Sequence, residues 1–278
     1  MGILNVTPDS FSDGGKYNTP ALAIERASQM LRQGADIIDI GGESTRPGAE
    51  LVPAEEQIKR VIPAIKGIRQ QLSNEITISV DTTSYEVVVA ALEAGANWIN
   101  DISAGEDARD EIDCNDAILE DNSRERMLTL AAERNVPIVL MHRKGKSSTM
   151  QDAPSYQNVV QEVENYLKDR ASLALEMGVS KENIIIDPGI GFGKLLPHNL
   201  SLLANLDTLV KLGFPVLLGA SRKRFIAEIC GIDDAEQRVA GTCATTALGV
   251  DQGVKIFRVH DIEENRQAAD IAWRIKNG

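Results

Sequence analysis

Polar and charged side chains stand directly after short apolar runs in this sequence. Asp81, Asn100 and Asp187 each follow such a run. Carboxylates accept N–H groups in pairs and an amide both donates and accepts, so these residues suit a heterocycle with amide-like edges. Arg258 stands in the same setting, and Lys223 follows the run at residues 216–218 after four further residues; both suit a phosphate or another anion. The ends of the eight runs are Asn5, Asp39, Asp81, Asn100, Met141, Asp187, Gly219 and Arg258.

The segment from residue 5 to residue 15 concentrates such groups. It holds two carboxylates, an amide, three hydroxyls and the aromatic ring of Phe11. Since the segment has no hydrophobic periodicity and no apolar face, we expect its polar groups to face a ligand.

The elements that must position these residues are eight short strands with helical segments between them. Most of the apolar runs are too continuous to alternate, which is typical of strands buried on both faces of a parallel sheet. The intervening segments carry apolar stripes at helical spacing, as in residues 55–72. We expect every stripe to face the core, including the one in the last helix, which consists of Ala268, Ile271, Ala272 and Ile275.

Eight strands alternating with eight helices over 278 residues predict one α/β domain, a closed (β/α)8 TIM barrel spanning residues 1–278. An open Rossmann-like sheet is the alternative. In a barrel the active site lies at the carboxyl ends of the strands. Turn formation explains a single Asp or Asn at a strand end, but it does not explain the cations at Arg46, Lys223 and Arg258 beside them.

Composition argues against several classes of function. A net charge of -12 argues against binding a nucleic acid backbone. No apolar stretch approaches the roughly 18 residues of a membrane helix, and no signal peptide pattern follows Met1. Cys114, Cys230 and Cys243 form no C-x-x-C pattern, so neither disulfides nor structural zinc are expected, and a reducing, cytoplasmic setting is predicted.

Residues 187–194 look like a phosphate loop but match neither common nucleotide motif. A P-loop would need Gly at Pro188 and Ser or Thr at Leu195, and a dinucleotide fingerprint would need Gly at Lys194. The three histidines fit no zinc spacing with any cysteine. These patterns therefore predict neither NAD binding nor a zinc site.

Taken together, the motifs resemble the dihydropteroate synthase family, folate-pathway enzymes that join 6-hydroxymethyl-7,8-dihydropterin pyrophosphate to p-aminobenzoate. The similarity runs through nearly the whole chain, with the motifs in order. They are Met1-Gly-Ile-Leu-Asn5-Val-Thr-Pro-Asp-Ser-Phe-Ser-Asp13-Gly-Gly, Gly41-Gly-Glu-Ser-Thr45-Arg46-Pro47-Gly, Val80-Asp81-Thr, Ile99-Asn100-Asp101, Met141-His142, Asp187-Pro-Gly-Ile-Gly-Phe192, Gly219-Ala-Ser-Arg-Lys223 and Arg258-Val-His260-Asp.

The resemblance implies four groups of site residues and one metal, Mg²⁺. The implied catalytic residues are Asp81, Arg46, Asp13 and Lys223. The implied pterin contacts are Asp81, Asn100, Met141, Asp187, Phe192, Gly219 and Lys223. The pyrophosphate is expected on Thr45, Arg46, Arg258 and His260, with Mg²⁺ held by Asn5. The p-aminobenzoate contacts are expected to be Phe11, Pro47, Phe192, Ser221 and Arg224.

The implied reaction is a dissociative substitution at the exocyclic methylene of the pterin, without a covalent enzyme intermediate. Some assignments have alternatives. Asp13 and Arg46 stand in loops with Gly and Ser, where a solvated charge is the other interpretation. Arg224 stands where many bacterial relatives have Ser, and it either pairs with the p-aminobenzoate carboxylate or faces solvent.

Two other functions compete with this one. A methyltetrahydrofolate methyltransferase-like barrel would share the ring contacts but would not need the pyrophosphate residues. A catalytically dead barrel would lack charged residues at the strand ends, and none is missing here.

The resemblance also sets expectations outside the site. Family members usually form homodimers, and they usually have a leading segment that helps to close the barrel bottom, so a trimmed chain is one expectation. Residues 105–126 hold nine acidic and three basic residues, and we expect a solvated extension that leads into a helix.

Overall fold

The computed structural model describes residues 1–7, 19–43, 52–73, 75–105, 125–145 and 150–278. In this part of the chain eight short strands run parallel to one another. They are β1 (Gly2–Asn5), β2 (Ile37–Gly41), β3 (Thr77–Asp81), β4 (Trp98–Asp101), β5 (Ile138–Met141), β6 (Ile184–Asp187), β7 (Leu217–Leu218) and β8 (Ile256–Phe257).

The strands form a closed ring. β1 to β6 pair in sequence order, and β7 pairs with β8. Two parallel bridges connect these groups, Ile186 with Val216 and Gly2 with Val259. The amide of Val259 also donates to the carbonyl of Met1 at 3.0 Å. Hydrogen bonds therefore run from each strand to the next and from the end of β8 back to β1, which confirms the predicted TIM barrel and excludes the open sheet.

Helices connect the strands. The Ser84 side chain accepts from the Val87 amide at the start of the third helix, and Asn158 caps the fifth helix in the same way. Two helices, rather than the predicted one, follow each of β6 and β7. The helices of the described residues are α1 (Thr19–Arg32), α2 (Ala54–Gln71), α3 (Tyr85–Ala94), α4 (Arg126–Arg134), α5 (Val159–Glu176), α6 (Leu196–Ala204), α7 (Leu206–Val210), α8 (Arg224–Cys230), α9 (Val239–Gln252) and α10 (Ile262–Asn277).

Side chains of successive strand residues point to opposite faces, and both faces are apolar, as the continuous runs predict. Ile38 and Ile40 of β2 belong to the large core that includes the helices. Val139, Ile185 and Leu217 form a separate buried cluster with Met1 and fill the barrel interior. The same alternation turns the last inward-facing residue of each strand toward the mouth of the barrel.

The prediction that the apolar stripe of the last helix faces the core is wrong. Ile271 and Ile275 in α10 are 64% and 80% exposed, and Trp273 beside them is also exposed. Periodicity shows that one helix face is apolar, but it does not show what covers that face. This stripe therefore does not face the core of the barrel.

Two other predictions concern segments at the edge of the description. Residues 106–124 of the acidic extension lie outside the described residues, and α4 begins shortly after them at Arg126. Among the described residues, no helix has the length and apolarity that a membrane crossing requires.

Candidate active site

The carboxyl ends of the first four strands lie in register. Asn5 pairs with Gly41, Gly41 with Asp81, and Asp81 with Asn100. A β-carbon at Gly41 would lie 3.5 Å from Asn5 Oδ1 and 3.7 Å from Asp81 Oδ2. Because Gly41 has no side chain, the amide oxygen and the carboxylate share the space above it.

Arg258, directly after β8, reaches across the barrel mouth to two carboxylates. Its Nε donates to Asp39 Oδ2 at 2.6 Å and its Nη2 donates to Asp81 Oδ2 at 2.5 Å. Asn100 Nδ2 donates to the same oxygen of Asp39 at 3.0 Å. The carboxylates are buried and they raise the pKa of Arg258 despite its own burial. We call these four residues the strand-end cluster.

The electrostatics of the strand-end cluster depend on one cation shared by two anions. Burial raises the pKa of Asp81 to about 7, the guanidinium of Arg258 opposes this rise, and Asp39 adds to it. A single guanidinium does not replace the solvation that both carboxylates lose. The Oδ1 atoms of Asp39 and Asp81 have no hydrogen-bond partner among the described residues. Asp81 Oδ1 is therefore an acceptor available to an N–H group of a ligand.

Asp187 is the third carboxylate of the mouth. Its Oδ1 accepts from the Gly189 amide at 2.7 Å, and its Oδ2 would lie 3.7 Å from a β-carbon at Gly219. Burial raises the pKa of Asp187, while the Gly189 amide and the ammonium of Lys223 act against this rise. Met141 at the end of β5 pairs with Asp187 in the sheet register and is buried.

Lys223 lies against the loop that follows Asp187. Its Nζ donates to the carbonyl of Ile190 and lies 4.3 Å from the centre of the Phe192 ring. Burial lowers the pKa of Lys223 to about 8, and Asp187 opposes this shift. Gly191 adopts a φ of +83°, and a β-carbon there would lie 3.2 Å from Lys223 Cδ. This glycine therefore lets the lysine pass closely over the loop.

The residues after β7 and β8 are tied together. Ser221 Oγ lies 3.0 Å from His260 Nδ1 and accepts from the His260 amide at 3.2 Å. Arg222, at a φ of +58°, donates from two nitrogens to Asp261 at 2.9 and 2.5 Å. These bonds fix Lys223 and His260 at the same edge as Arg258.

Arg224 lies at the start of α8 and is exposed to solvent. Its side chain is 87% exposed and its Nε pairs with Glu228 at 2.8 Å. Of the two arrangements that the sequence left open, a pair with the p-aminobenzoate carboxylate and a solvent-facing side chain, this structure has the second.

The structure brings together many of the predicted site residues at one mouth, places Arg224 in solvent, and does not describe the others. The predicted residues that lie outside the described part of the chain are Phe11, Asp13, Thr45, Arg46 and Pro47. Those assembled at the carboxyl edge are Asn5, Asp81, Asn100, Met141, Asp187, Phe192, Gly219, Ser221, Lys223, Arg258 and His260.

Sequence reasoning gave no role to the buried charged residues Asp39 and Lys194. Asp39 holds both Arg258 and Asn100, and its carboxylate within an isoleucine run was the available signal, because a buried charge needs a partner. Lys194 is buried against His142 and the loop carbonyls, and the sequence marked it only as a misfit to nucleotide motifs.

The chain belongs to the family of pterin-binding enzymes, whose family model matches residues 1–260. Its similar relatives are dihydropteroate synthases. One from Synechocystis sp. is 46% identical over 277 residues, which cover 99% of this chain and 90% of that protein. The resemblance read from the motifs is thereby confirmed.

Solved structures agree in fold along the whole chain. A Xanthomonas albilineans dihydropteroate synthase with 4-aminobenzoic acid superposes with a TM-score of 0.86 at 42% identity, covering 100% of this chain and 93% of that one. The same organism's enzyme in complex with 7,8-dihydropteroate gives a TM-score of 0.84 at 39% identity, with the same coverage.

Proposed function

We propose that this protein is a transferase of folate biosynthesis that joins 6-hydroxymethyl-7,8-dihydropterin pyrophosphate to p-aminobenzoate, giving 7,8-dihydropteroate and pyrophosphate. One observation carries the proposal: the largely shielded guanidinium of Arg258 lies between Asp39 and Asp81 at the barrel mouth. This arrangement supplies acceptors for a ring and a cation for a leaving group in one place. The similarity to dihydropteroate synthases supports the same reaction.

The pterin binds at the carboxylate side of the mouth. An aminopyrimidinone ring presents N–H groups that Asp81 and Asp187 accept, while Asn100 both donates and accepts. Lys223 donates to an oxygen or nitrogen of the ring. Met141 and Gly219 complete this pocket, and the ring of Phe192 forms its border with the p-aminobenzoate site.

The pyrophosphate binds on Arg258 and His260, with Thr45 and Arg46 as further predicted contacts. Asn5 suits Mg²⁺, because its amide oxygen is an oxygen ligand at the mouth and Mg²⁺ commonly takes only one or two ligands from protein. When bound there, the ion would stabilise negative charge on the pyrophosphate.

The protein acts through position and charge rather than through a nucleophile. As the methylene–oxygen bond breaks, Arg258 and His260 stabilise the departing pyrophosphate, and Asp81 stabilises the electron-poor pterin cation. The amine of p-aminobenzoate then attacks the methylene carbon, forming the carbon–nitrogen bond, and its extra proton passes to solvent. Phe11, Pro47, Phe192 and Ser221 are proposed to hold the p-aminobenzoate, and Asp13 and Arg46 to complete the catalytic group.

We also propose a cytoplasmic homodimer. Cys230 and Cys243 are free, which suits a reducing compartment. Leu248 of α9 and Ile271 and Ile275 of α10 are exposed apolar residues, and a second copy is the proposed partner that covers them. Sedimentation of the wild type against Ile271→Asp tests this, because the charged variant should be a monomer.

The direct test of the reaction is to incubate the purified protein with dihydropterin pyrophosphate, p-aminobenzoate and Mg²⁺. Pyrophosphate release and dihydropteroate formation are measured together. Asp187→Ala and Arg258→Ala should lose product, whereas Lys211→Met, which changes a surface lysine paired with Asp207, should retain it. Pterin binding without turnover by the wild type would contradict the proposal and favour a methyltransferase-like barrel.

A further inference from the structure

Lys194 is a buried lysine for which the proposed reaction has no use. Its side chain is 2% exposed, although lysine is among the residues least often buried. Its Nζ donates to the carbonyls of Gly189 and Phe192, each at 3.0 Å, and to that of His142 at 3.1 Å. The fourth neighbour is His142 Nδ1 at 2.9 Å. None of these four neighbours is a carboxylate. Three of them are backbone carbonyl oxygens, and the fourth is a ring nitrogen.

These contacts hold the loop between β6 and α6, residues 188–195, which we call the Phe192 loop. Its other carbonyls are also engaged by side chains from elsewhere. Tyr156 donates its hydroxyl to Gly193 at 2.8 Å, Gln151 donates to Gly191, and Lys223 donates to Ile190. The loop is therefore a set of backbone acceptors fixed from several sides, and Lys194 binds two of them at once.

The loop also lies close to the backbone after β5. A β-carbon at Gly189 would lie 1.9 Å from the His142 carbonyl oxygen, and one at Gly193 would lie 2.2 Å from that of Lys144. Both glycines have a φ of +63°. Lys194 donates to carbonyls on both sides of this contact, so its ammonium joins the loop to the end of β5.

Asp187 and Phe192 depend on Lys194 to different degrees. Asp187 is part of β6, pairs with Met141, and its carbonyl accepts from the His142 amide at 3.0 Å. Phe192 belongs to no strand or helix. Its amide donates a hydrogen bond to the Gly189 carbonyl at 3.1 Å, and its carbonyl accepts one from Lys194. Loss of the lysine should therefore displace the ring of Phe192 more than the carboxylate of Asp187.

We propose that Lys194 is a positioning residue for p-aminobenzoate. Its hydrogen bonds to the loop carbonyls and to His142 hold the Phe192 loop in place. This inference rests on the proposed function, in which Phe192 is a wall of the p-aminobenzoate site. Lys194 touches neither substrate and acts only through the loop. It thereby contributes to binding of the second substrate more than to binding of the pterin.

The main test is Lys194→Met, which keeps the length and apolar stem of the side chain but removes its three donors. In steady-state assays we expect the KM for p-aminobenzoate to rise about tenfold or more, while the KM for dihydropterin pyrophosphate changes less than about threefold. A lysine with a purely structural role would give a smaller amount of active enzyme with both KM values unchanged.

A second variant covers the case in which Lys194→Met does not fold. Tyr156→Phe removes one hydrogen bond to the loop, at the Gly193 carbonyl, without changing any charge. It should raise the KM for p-aminobenzoate by about threefold and leave that for the pterin substrate unchanged. Lys211→Met makes the same chemical change as Lys194→Met at an exposed position and should leave both values unchanged.

The outcomes separate this inference from the proposed function. An active wild type in which Lys194→Met or Tyr156→Phe raises both KM values equally, or neither, would overturn the role of Lys194 and leave the reaction intact. A wild type without synthase activity would overturn the proposed function itself. A selective rise for p-aminobenzoate supports both.

Discussion

Arg258 and Lys194 are both basic residues largely shielded from solvent at the carboxyl side of the barrel, but their partners differ in kind. Arg258 is bound by the carboxylates of Asp39 and Asp81, whereas Lys194 is bound by backbone carbonyls and by a ring nitrogen of His142. A carboxylate can be exchanged for a phosphate, since both are anions of similar hydrogen-bonding geometry. Backbone carbonyls of a folded loop offer no such exchange. We infer that the strand-end cluster is built to change partners during the reaction and the Phe192 loop is built to stay in place.

The largest effect should come from removing the cation of the strand-end cluster. Arg258→Met leaves Asp39 and Asp81 buried without a charged partner. We expect kcat/KM to fall about 1000-fold or more, and the free energy of unfolding at pH 8 to fall by about 3 to 5 kcal/mol. Steady-state kinetics and urea unfolding measure the two effects. Retention of more than about a tenth of the activity would contradict the assignment of Arg258.

A smaller effect is expected when one carboxylate of this cluster becomes neutral. Asp39→Asn keeps the shape of the side chain but weakens the bond to Arg258 Nε, so kcat/KM should fall about 10- to 100-fold. The variant should retain a folded structure with an unchanged circular dichroism spectrum. If activity is unchanged, Asp39 does not orient Arg258, and only Asp81 remains as a carboxylate partner that matters for the reaction.

For Asp39→Asn we also expect a change in how the free energy of unfolding depends on pH. The pKa of Asp81 in the folded protein, about 7, lies above its ordinary value, so the folded state binds this proton more tightly than the unfolded state. The corresponding stability is present at low pH and is lost as pH rises toward 7. Asp39 adds to the raised pKa, so in Asp39→Asn this loss between pH 5 and pH 7 should be smaller. Urea unfolding at half-unit steps of pH tests this, and an identical pH dependence would contradict it.

A glycine substitution tests the Phe192 loop. In Gly189→Ala the new β-carbon would meet the His142 carbonyl oxygen in a backbone conformation that L-residues rarely adopt. We expect the free energy of unfolding to fall by about 2 kcal/mol or more, with a raised KM for p-aminobenzoate. Gly231→Ala is the matched control, because Gly231 has a similar φ of +65° and no atom within 4 Å of the new β-carbon. Equal losses in the two variants would show that the close contact with His142 is unimportant.

The smallest effect is expected at Arg224. Its exposed side chain pairs only with Glu228 among the described residues, so Arg224→Ala should change the KM for p-aminobenzoate less than about twofold and the free energy of unfolding by less than about 0.5 kcal/mol. A rise in that KM of more than about fivefold would show that the arginine turns toward the substrate carboxylate.

The sequence predicted the barrel and its strand ends because these depend on local patterns. A continuous apolar run followed by Asp81 or Asp187 identifies both the strand and the face at which it ends. The role of Asp39 depends on Arg258 and Asn100, which are far along the chain, and the role of Lys194 depends on the fold of its own loop and on the distant His142. No local sequence pattern shows such contacts. The α10 stripe failed for a similar reason, since amphipathic spacing is the same whether the apolar face of Ile271 and Ile275 meets the core or lies open.

The closure of the barrel has a consequence for how activity appears during synthesis. Arg258 lies 219 residues after Asp39 and 177 residues after Asp81, and the amino group of Met1 donates to the carbonyl of Phe257, 256 residues away. The chain must close loops of this length before such contacts can form. During synthesis on the ribosome, the carboxylates of Asp39 and Asp81 are therefore made long before the guanidinium of Arg258 that pairs with them. We therefore expect a partly made or opened barrel to be inactive.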